Sequence, residues 1–379
     1  MPKSKSAGIL VLAHRIYKDD ILKRGGVDYI IDYLRSRGCK YFLVENPLRE
    51  KGRTIIKMDG DEIRSFGLYG KGLVRWIQEI FLNTIYILIS NIRFRFIIAV
   101  DPLNFLSAYI IKAFRPTRIL FHSVDYSENR FDNAFMNFWY NYFYKLAVSK
   151  ADIVTYVSPM MGRKINEFCN KFEGRILFYL PNSPEYSKVP KADPVLKSKY
   201  DVVYTKSFLG DNEVDILIET LKLCVKTLPE LKVHLIGNVS EAGREKIENS
   251  DISRHFELYG QVDYAKNIEI ISKAYIGIAW YENLISFERY ADSLKIREYA
   301  ASGLPSVCNN KISTALEMQK ENAGLIANTP SELSEKLVYL ITDPSEYGKI
   351  SRCALKWAEK NDKTVLMEKL YKIISPYLN

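Results

Sequence analysis

The amino-acid sequence predicts an α/β protein with two Rossmann-like, doubly wound domains, and three observations lead to this prediction. Apolar, strand-like runs alternate with stretches of helical periodicity, as in parallel sheets covered by helices on both faces. The alternation stops at "LPNSPEYSKVPKADP" (180–194), which holds four prolines, and then begins again. The length of 379 residues is sufficient for two domains with full cores.

The first series contains five strand-like segments, and a Gly-Gly pair at 25–26 precedes its first helix. That helix, "VDYIIDYLRSRG", has apolar residues at helical spacing and ends at Gly38. The predicted strands are 8–14, 40–45, 96–101, 118–123 and 152–158, and further helices are predicted at 71–92, 103–114 and 133–149.

The second series has strand-like segments at 200–205, 232–237, 256–260, 276–281 and 306–310, again with helices between them. We therefore expect a first domain at 1–183, a linker at 184–199 and a second domain at 200–351. The helical segment 352–379 is left over, and its helix could cross back to the first domain.

Composition and charge indicate a soluble, cytosolic protein with an anionic partner. Five scattered cysteines without a CxxC motif indicate reduced thiols and no structural zinc. We expect no signal peptide, and the longest apolar run, 80–89, is too short to span a bilayer. Residues 1–183 hold 28 basic and 17 acidic residues, so all the excess positive charge lies there. This favours an anionic surface or ligand on that side, with solubility charge as the alternative.

The stretch "ADSLKIREYAASGLPSVCNN" (291–310) predicts an anion site at the start of a helix. Asp292 or Ser293 is a suitable N-cap for a helix that Gly303 ends. The helix N-terminus and Lys295 supply positive charge for a phosphate, and Glu298 on the same face can accept hydrogen bonds from sugar hydroxyls. Phosphate beside ribose describes a nucleotide diphosphate. An exposed Lys–Glu pair on an amphipathic helix is the alternative.

This stretch resembles the nucleotide-sugar-binding signature of group 1 (family 4-like) glycosyltransferases with the GT-B fold, in which a Lys-x-x-Glu-Tyr helix precedes Gly-x-Pro. Other segments resemble the same family in the same order. They are "RGGVDYIIDYL" (24–34), "ADIVTYVSPMM" (151–161), "LPNSPE" (180–185) and "FELYGQVDYAKNIEIISKAYIGIAWY" (256–281). The resemblance implies two domains facing across a cleft, a nucleotide sugar as co-substrate, and no metal or other cofactor.

The resemblance also implies roles for individual residues. Lys206 and Lys295 would stabilise the leaving diphosphate, and Glu298 would hold the ribose. The other donor contacts would come from loops, strand ends and the start of the helix, at Gly25, Gly26, Gly260, Val262, Tyr281, Asp292, Ser293 and Leu294. The sequence departs from the family at three positions, because Tyr290 replaces a common second glutamate, and Ser207 and Asn212 replace an arginine and a lysine.

His122 ends the predicted strand 118–123, and Asp125 follows it. The ends of strands line the ligand crevice in open α/β sheets. The resemblance implies that a histidine here reaches the donor or acceptor, so we expect a site role for His122, with a core role as the alternative. Asp125 is a candidate base if the sugar is transferred with inversion. The motif "DGD" (59–61) has the form of a metal site but lies in a polar turn, so we expect no metal there.

Two stretches with basic ends are candidates for a membrane interface: "RWIQEIFLNTIYILISNIRFR" (75–95) and "RFDNAFMNFWYNYFYKLAV" (130–148). Core helices of the first domain are the alternative for both. No nucleic-acid-binding module is recognisable, so we expect no nucleic acid among the partners.

The residues and the resemblance together predict a cytosolic hexosyltransferase, peripheral to the inner face of the cell membrane. It would move a sugar from a UDP- or GDP-sugar to a glycan or lipid-linked acceptor in cell-surface polysaccharide or glycolipid synthesis, with retention of configuration. Two alternatives stay open, a GT-B-like sugar-nucleotide epimerase and a catalytically inactive GT-B scaffold.

Overall fold

A computed structural model describes residues 8–18, 21–23, 26–47, 52–169, 174–191, 198–282 and 288–378. The chain forms two compact units. The first contains Met1–Leu180 together with Leu366–Asn379, and the second contains Pro181–Val365. The chain passes from the first unit to the second after Leu180, close to residue 183, where the sequence analysis ended the first domain.

The described strands of the first unit form a single mixed sheet. They are β1 (Ile9–Lys18), β2 (Ile21–Lys23), β3 (Tyr41–Pro47), β4 (Gly52–Met58), β5 (Asp61–Leu68), β6 (Phe96–Val100), β7 (Arg118–Ser123), β8 (Ile153–Tyr156) and β9 (Ile176–Tyr179). Their order is β5-β4-β3-β1-β6-β7-β8-β9, and β2 pairs with β1. From β3 to β9 neighbouring strands run parallel, which is the expected pattern of a doubly wound sheet.

Four helices of the first unit follow the predicted positions to within a few residues. They are α1 (Gly26–Ser36), α2 (Gly72–Ile89), α3 (Pro102–Phe114) and α4 (Ala134–Lys150). A fifth, α5 (Pro159–Phe168), was not predicted. The strand β1 lies in the middle of the sheet, and Ile9, Leu10, Val11 and Leu12 are fully buried. A continuous apolar run of this kind is what a parallel strand covered on both faces requires.

An antiparallel hairpin of β4 and β5 extends the sheet beyond β3. Its two-residue turn is Asp59-Gly60, and both residues have positive φ angles, 52° and 108°. This is the turn that Asp-Gly favours between paired strands. The "DGD" motif therefore forms a hairpin turn, in which the Asp59 carboxylate accepts a hydrogen bond from the Tyr41 backbone N–H at 2.9 Å.

The described strands of the second unit are all parallel. They are β10 (Asp201–Leu209), β11 (Lys232–Val239), β12 (Phe256–Gly260), β13 (Ile276–Ala279), β14 (Ser306–Cys308) and β15 (Gly324–Ile326). Their order is β12-β11-β10-β13-β14-β15. Counted from the first strand of the unit, this is 3-2-1-4-5-6, the Rossmann order, and the direction of winding reverses between β10 and β13.

The helices of the second unit are α6 (Asp211–Cys224), α7 (Glu241–Glu248), α8 (Tyr264–Lys273), α9 (Leu294–Ala301), α10 (Ser313–Lys320), α11 (Pro330–Thr342) and α12 (Pro344–Lys360). A last helix, α13 (Lys363–Ile374), follows. The segment 352–379 is thus not one element, because α12 belongs to the second unit while α13 joins the first unit from Leu366 onward. Leu370 and Ile374 are buried in the same cluster as β1 and α1 residues, and Glu368 accepts a 2.7 Å hydrogen bond from Tyr33.

Candidate functional site

The start of α9 and the end of β10 meet at the carboxyl edge of the second sheet. β10 pairs with β13 through Tyr204 and continues to Leu209, so Lys206 lies beyond the last residue paired with β13. This edge, at the reversal of winding between β10 and β13, is where open α/β sheets bind ligands.

Lys295 lies in the first turn of α9 between two aromatic rings. Its Nζ atom is 4.7 Å from the centre of the Tyr281 ring and 5.5 Å from that of the Tyr204 ring. Burial lowers the pKa of Lys295 to about 8, and the positive charge of Lys206 contributes to the decrease. Two lysine ammonium groups near each other repel, and an anion placed between them removes that repulsion.

Lys206 has a resident counterion. Its ammonium group pairs with the carboxylate of Glu213, which is buried and also accepts a 3.1 Å hydrogen bond from the Gly210 N–H. The backbone of Lys206 is held as well, because a Cβ atom at Gly237 would lie 1.5 Å from the Lys206 carbonyl oxygen. Gly237 also has φ +126°, so glycine is required there.

The N-terminus of α9 has a polar partner on the neighbouring loop. Ser293 occupies the N-cap position but makes no side-chain cap, and its Oγ atom lies 2.6 Å from the Tyr281 hydroxyl. Ser293 therefore leaves the first N–H groups of the helix to other acceptors. The Ser293 N–H itself donates to Thr314 Oγ1 at 2.8 Å, and Leu294, the first helical residue, is exposed.

Asp292 does not face this anion site, which corrects its prediction as a donor contact. Its carboxylate accepts hydrogen bonds from Arg297 Nε at 2.9 Å, from Thr314 Oγ1 at 2.8 Å and from the Asn182 N–H at 2.6 Å. Arg297 is 2% exposed and also pairs with Glu317. A buried guanidinium needs such partners, so the carboxylate of Asp292 is structural.

Glu298 is buried on the side of α9 that faces α8. Burial raises the pKa of Glu298 to about 7, while hydrogen bonds from Tyr264 and Asn267 and the charge of Lys295 act in the opposite direction. The carboxylate thus lies among polar groups within range of the Lys295 charge. An ionised carboxylate in such a place can accept hydrogen bonds from hydroxyl groups of a ligand.

The remaining predicted donor contacts in the second unit lie along the same sheet edge. Gly260 ends β12 with φ +64° and pairs with Gly237, whose neighbour is Lys206. Val262 packs, partly buried, against the same core cluster as Tyr281. The structure thus brings Lys206, Lys295 and Tyr281 together and places Gly260 on the adjoining strand end.

The carboxyl edge of the first sheet has a cavity of about 470 Å³. Gly26 and Asp125 line it, as the sequence analysis predicted for the site, and Gly25 lies outside the described residues. Asp125 accepts a 2.7 Å hydrogen bond from Arg130. The wall of the cavity is aromatic where Trp76 and Tyr140 line it.

His122 does not line this cavity, so its predicted site role is corrected. The side chain is 1% exposed, and its Nδ1 atom lies 2.8 Å from Thr155 Oγ1 on the neighbouring strand. Burial lowers the pKa of His122 to about 4. The side chains of Phe121 and Ser123 do line the cavity, and alternation along a strand turns His122 to the opposite face.

His14 lies in β1, directly after the buried run of that strand, and is the histidine that lines the cavity. It hydrogen-bonds to Asp101, and its Nε2 atom lies 3.0 Å from Glu79 Oε2. Burial alone would lower the pKa of His14, but the two carboxylates outweigh it and raise the pKa to about 10. The sequence analysis included His14 in its first strand without assigning it a role. The strand-end rule that selected His122 would have selected His14 equally well.

Two further residues were missed at the second sheet edge. Glu213 could have been found from the spacing Gly210-x-x-Glu213, because a glutamate three residues after an N-cap commonly bonds back to it. Tyr204 lies inside an apolar strand, and its ring contact with Lys295 is visible only in the fold. Among the described residues, no group of three or more His, Cys, Asp or Glu side chains has the arrangement of a metal site.

Comparison with known proteins agrees with this architecture. Residues 190–357 match the family described as "Glycosyl transferases group 1". No curated protein sequence matches the chain. The fold is similar to that of a sucrose-phosphate synthase (tll1590) from Thermosynechococcus elongatus, with 12% identity, a TM-score of 0.66 and 98% of both chains covered.

Two other solved structures are similar along the whole chain. A glycosyltransferase from Rickettsia africae ESF-5 has 16% identity and a TM-score of 0.68, with 100% of this chain and 99% of that chain covered. Anabaena Alr3699/HepE in complex with UDP has 14% identity and a TM-score of 0.65, with 97% and 99% covered. These similarities confirm the predicted fold class and the family resemblance found in the sequence.

Proposed function

We propose that this chain, whose residues 190–357 match the group 1 glycosyltransferases and whose fold is GT-B, transfers a sugar from a UDP- or GDP-sugar to a glycan or lipid-linked acceptor. The observation that carries the proposal is the placement of Lys206 and Lys295 near each other at the carboxyl edge of the second sheet, with Glu298 on the same helix as Lys295 and within range of its charge. Two ammonium groups suit a diphosphate, and a carboxylate suits the hydroxyls of a ribose.

The donor would bind with its diphosphate at the N-terminus of α9. Lys295 and Lys206 stabilise the negative charge that develops on the leaving diphosphate, and the first N–H groups of α9 add to this. The structure of HepE, which is similar in fold, contains UDP, and a second HepE structure contains UDP and glucose. These ligands support a uridine nucleotide as the first donor to test.

We propose retention of configuration and no metal requirement. A carboxylate that acts as a base for inversion must be available to the acceptor hydroxyl, whereas Asp125 is engaged by Arg130. Lysines and a helix N-terminus would offset the negative charge of the diphosphate, as a metal ion does in other enzymes. No other cofactor is proposed.

In this proposal the acceptor binds to the first unit, in the cavity of about 470 Å³. We place the protein in the cytoplasm, peripheral to the inner face of the membrane, where cell-surface polysaccharides and glycolipids are begun. The net charge of +11 in residues 1–183, from 28 basic and 17 acidic residues, supports contact with an anionic surface.

A product assay tests the proposed function. The protein is incubated with a panel of UDP- and GDP-sugars, with and without membrane lipid extract or oligosaccharide, and the products are identified by mass spectrometry. Transfer requires the acceptor and yields a glycosylated product together with the nucleotide. Release of nucleotide diphosphate and an altered sugar without any acceptor indicates an epimerase, and binding of no nucleotide sugar in the panel indicates an inactive scaffold.

A further inference from the structure

The helix α2 buries most of its polar residues and exposes a row of large apolar ones. Its outward side chains are between 39% and 75% exposed and are Val74, Ile77, Phe81, Ile85 and Ile89. At 100° per residue, these five positions fall within about 120° of one side of the helix. The rest of the helix surface buries Arg75, Glu79, Asn83 and Thr84, each 7% exposed or less, together with Trp76 and Ile87.

This orientation is the reverse of what water favours. A helix on the surface of a water-soluble domain turns its charged side towards solvent. Here Arg75 pairs with Glu79 at 2.8 Å, and Glu79 pairs with His14. The polar side chains are therefore bonded to one another inside the first unit. Asn83 and Thr84 even bury a side-chain oxygen that has no hydrogen-bond partner among the described residues.

The two neighbouring helices also expose large apolar side chains. In α3, Tyr109 and Phe114 are exposed while Ser107 is fully buried. In α4, the exposed large apolar side chains are Phe135, Phe138 and Tyr142. Side chains of α2, α3 and α4 meet in one cluster around Trp76, Leu103 and Tyr140, so the three helices form a single layer. We call the outward apolar side chains of these three helices the outer face.

The outer face carries no exposed acidic residue. The single acidic residue in α2, α3 and α4 is Glu79, which is buried. Basic residues lie at its margins instead, with Lys145 and Lys150 exposed on α4 and Arg93 and Arg95 exposed after α2. An apolar surface with a basic margin is complementary to an anionic lipid leaflet.

Among the described residues, α2 is the helix whose length and mean hydropathy of 1.3 would suffice to cross a membrane. Its polar side argues for lying in the plane of the interface, because that side is bonded within the first unit, where Arg75 also donates to the Pro47 carbonyl oxygen at 2.5 Å. Helices with one apolar side and one side held by protein insert that apolar side at the level of the lipid headgroups.

We propose that the outer face docks on the anionic leaflet of a membrane and brings the 470 Å³ cavity to lipid-anchored acceptors. The same three helices line that cavity from within, through Trp76, Leu103 and Tyr140. An amphiphilic acceptor could therefore keep its apolar chain in the leaflet while its polar head enters the cavity. This second part rests on the proposed function, whereas the docking itself does not.

Vesicle flotation tests the docking. The full chain is mixed with vesicles of phosphatidylcholine alone or with added phosphatidylglycerol, at low and high salt. We expect binding to the anionic vesicles at low salt and its reduction at high salt. The variant Phe81→Glu with Ile85→Glu should lower the partition coefficient at least about tenfold, since it places charge in the apolar interface. The matched control is Leu316→Glu with Tyr339→Glu, two exposed apolar positions of the second unit, and should bind like the wild type.

Thermal unfolding and UDP binding are measured on the same samples, so that a folding defect or a wrong functional assignment is recognised separately. Flotation without binding of UDP or GDP supports the outer face and contradicts the proposed function. Absence of flotation with the nucleotide bound contradicts the docking alone. A wild-type dimer in light scattering that Phe81→Glu with Ile85→Glu converts to a monomer, without vesicle binding, would assign the outer face to a second copy and overturn the proposal.

Discussion

The ammonium group of Lys295 lies 4.7 Å from the centre of the Tyr281 ring, and the Tyr281 hydroxyl lies 2.6 Å from Ser293 Oγ at the start of the same helix. These two contacts therefore join the loop after β13 to the first turn of α9. This arrangement fixes the lysine beside the helix N-terminus, so the charge is in place before a diphosphate arrives. Preorganised charge of this kind is most effective for stabilising a leaving group.

Nucleotide affinity should depend on pH through Lys295. Its pKa is lowered to about 8, first by burial and then by the charge of Lys206, so the free protein loses this positive charge as the pH rises through 8. Affinity for UDP should fall between pH 7 and 9, measured by calorimetry. Lys295→Arg keeps its charge over this range and should flatten the profile. An equal fall in wild type and Lys295→Arg would exclude Lys295 as the titrating group.

Glu298→Gln should weaken nucleotide binding because a charged acceptor becomes a neutral amide. Hydrogen bonds to charged groups contribute about 1.5–3 kcal/mol. Since burial raises the pKa of Glu298 to about 7, the loss should be larger at pH 8 than at pH 6, where the wild-type residue is mostly protonated. Glu269→Gln, at a position of α8 where the side chain is 44% exposed, serves as the control. Identical nucleotide affinities of wild type and Glu298→Gln at pH 8 would show that Glu298 does not bind the nucleotide and has a structural role.

Asp292→Ala should destabilise the protein rather than act on the ligand alone. Removing this carboxylate takes away a main partner of the buried Arg297 guanidinium, and such losses cost about 3–5 kcal/mol. Urea unfolding without nucleotide measures the effect. Asp251→Ala removes an exposed ion pair with Lys222 and should change stability little. Unchanged stability of Asp292→Ala would contradict the structural role of this pair.

Catalysis should survive EDTA, and it should also survive Asp59→Asn with Asp61→Asn. In the structure Asp59 lies in the hairpin turn and Asp61 begins β5, and an asparagine at 59 keeps an oxygen for the Tyr41 N–H. Sugar transfer is assayed before and after chelation. Activity lost in chelator and restored by magnesium or manganese would show that the reaction depends on a metal.

The sequence predicted the elements whose pattern is local. The alternation of strands and helices and the short helix predicted from Leu294 to Ser302 depend on consecutive residues, and the structure has both, with the helix at Leu294–Ala301. Residues whose role depends on distant partners were harder to assign. Asp292 looked like a cap or ligand because Arg297 and Thr314, its partners, are recognisable only after folding.

The two histidines show the same limit. His14 and His122 both follow apolar runs in the sequence, and the sequence does not reveal which face of the sheet each side chain occupies. His122 is buried beside Thr155, which excludes its predicted site role. His14 contacts Asp101 and Glu79 at the cavity. The aromatic and apolar stretches were likewise assigned to core or interface as wholes, whereas each helix has one side of each kind.

The most direct test of the donor site is a calorimetric titration of UDP and GDP into wild type, Lys295→Ala and the control Lys320→Ala, an exposed lysine at the end of α10. The predicted result is binding of at least one nucleotide to wild type and control at pH 7, and a loss of at least about tenfold in Lys295→Ala, since a charged hydrogen bond is removed. Equal affinities in all three proteins, or binding of neither nucleotide to the wild type, would contradict the assignment of this site.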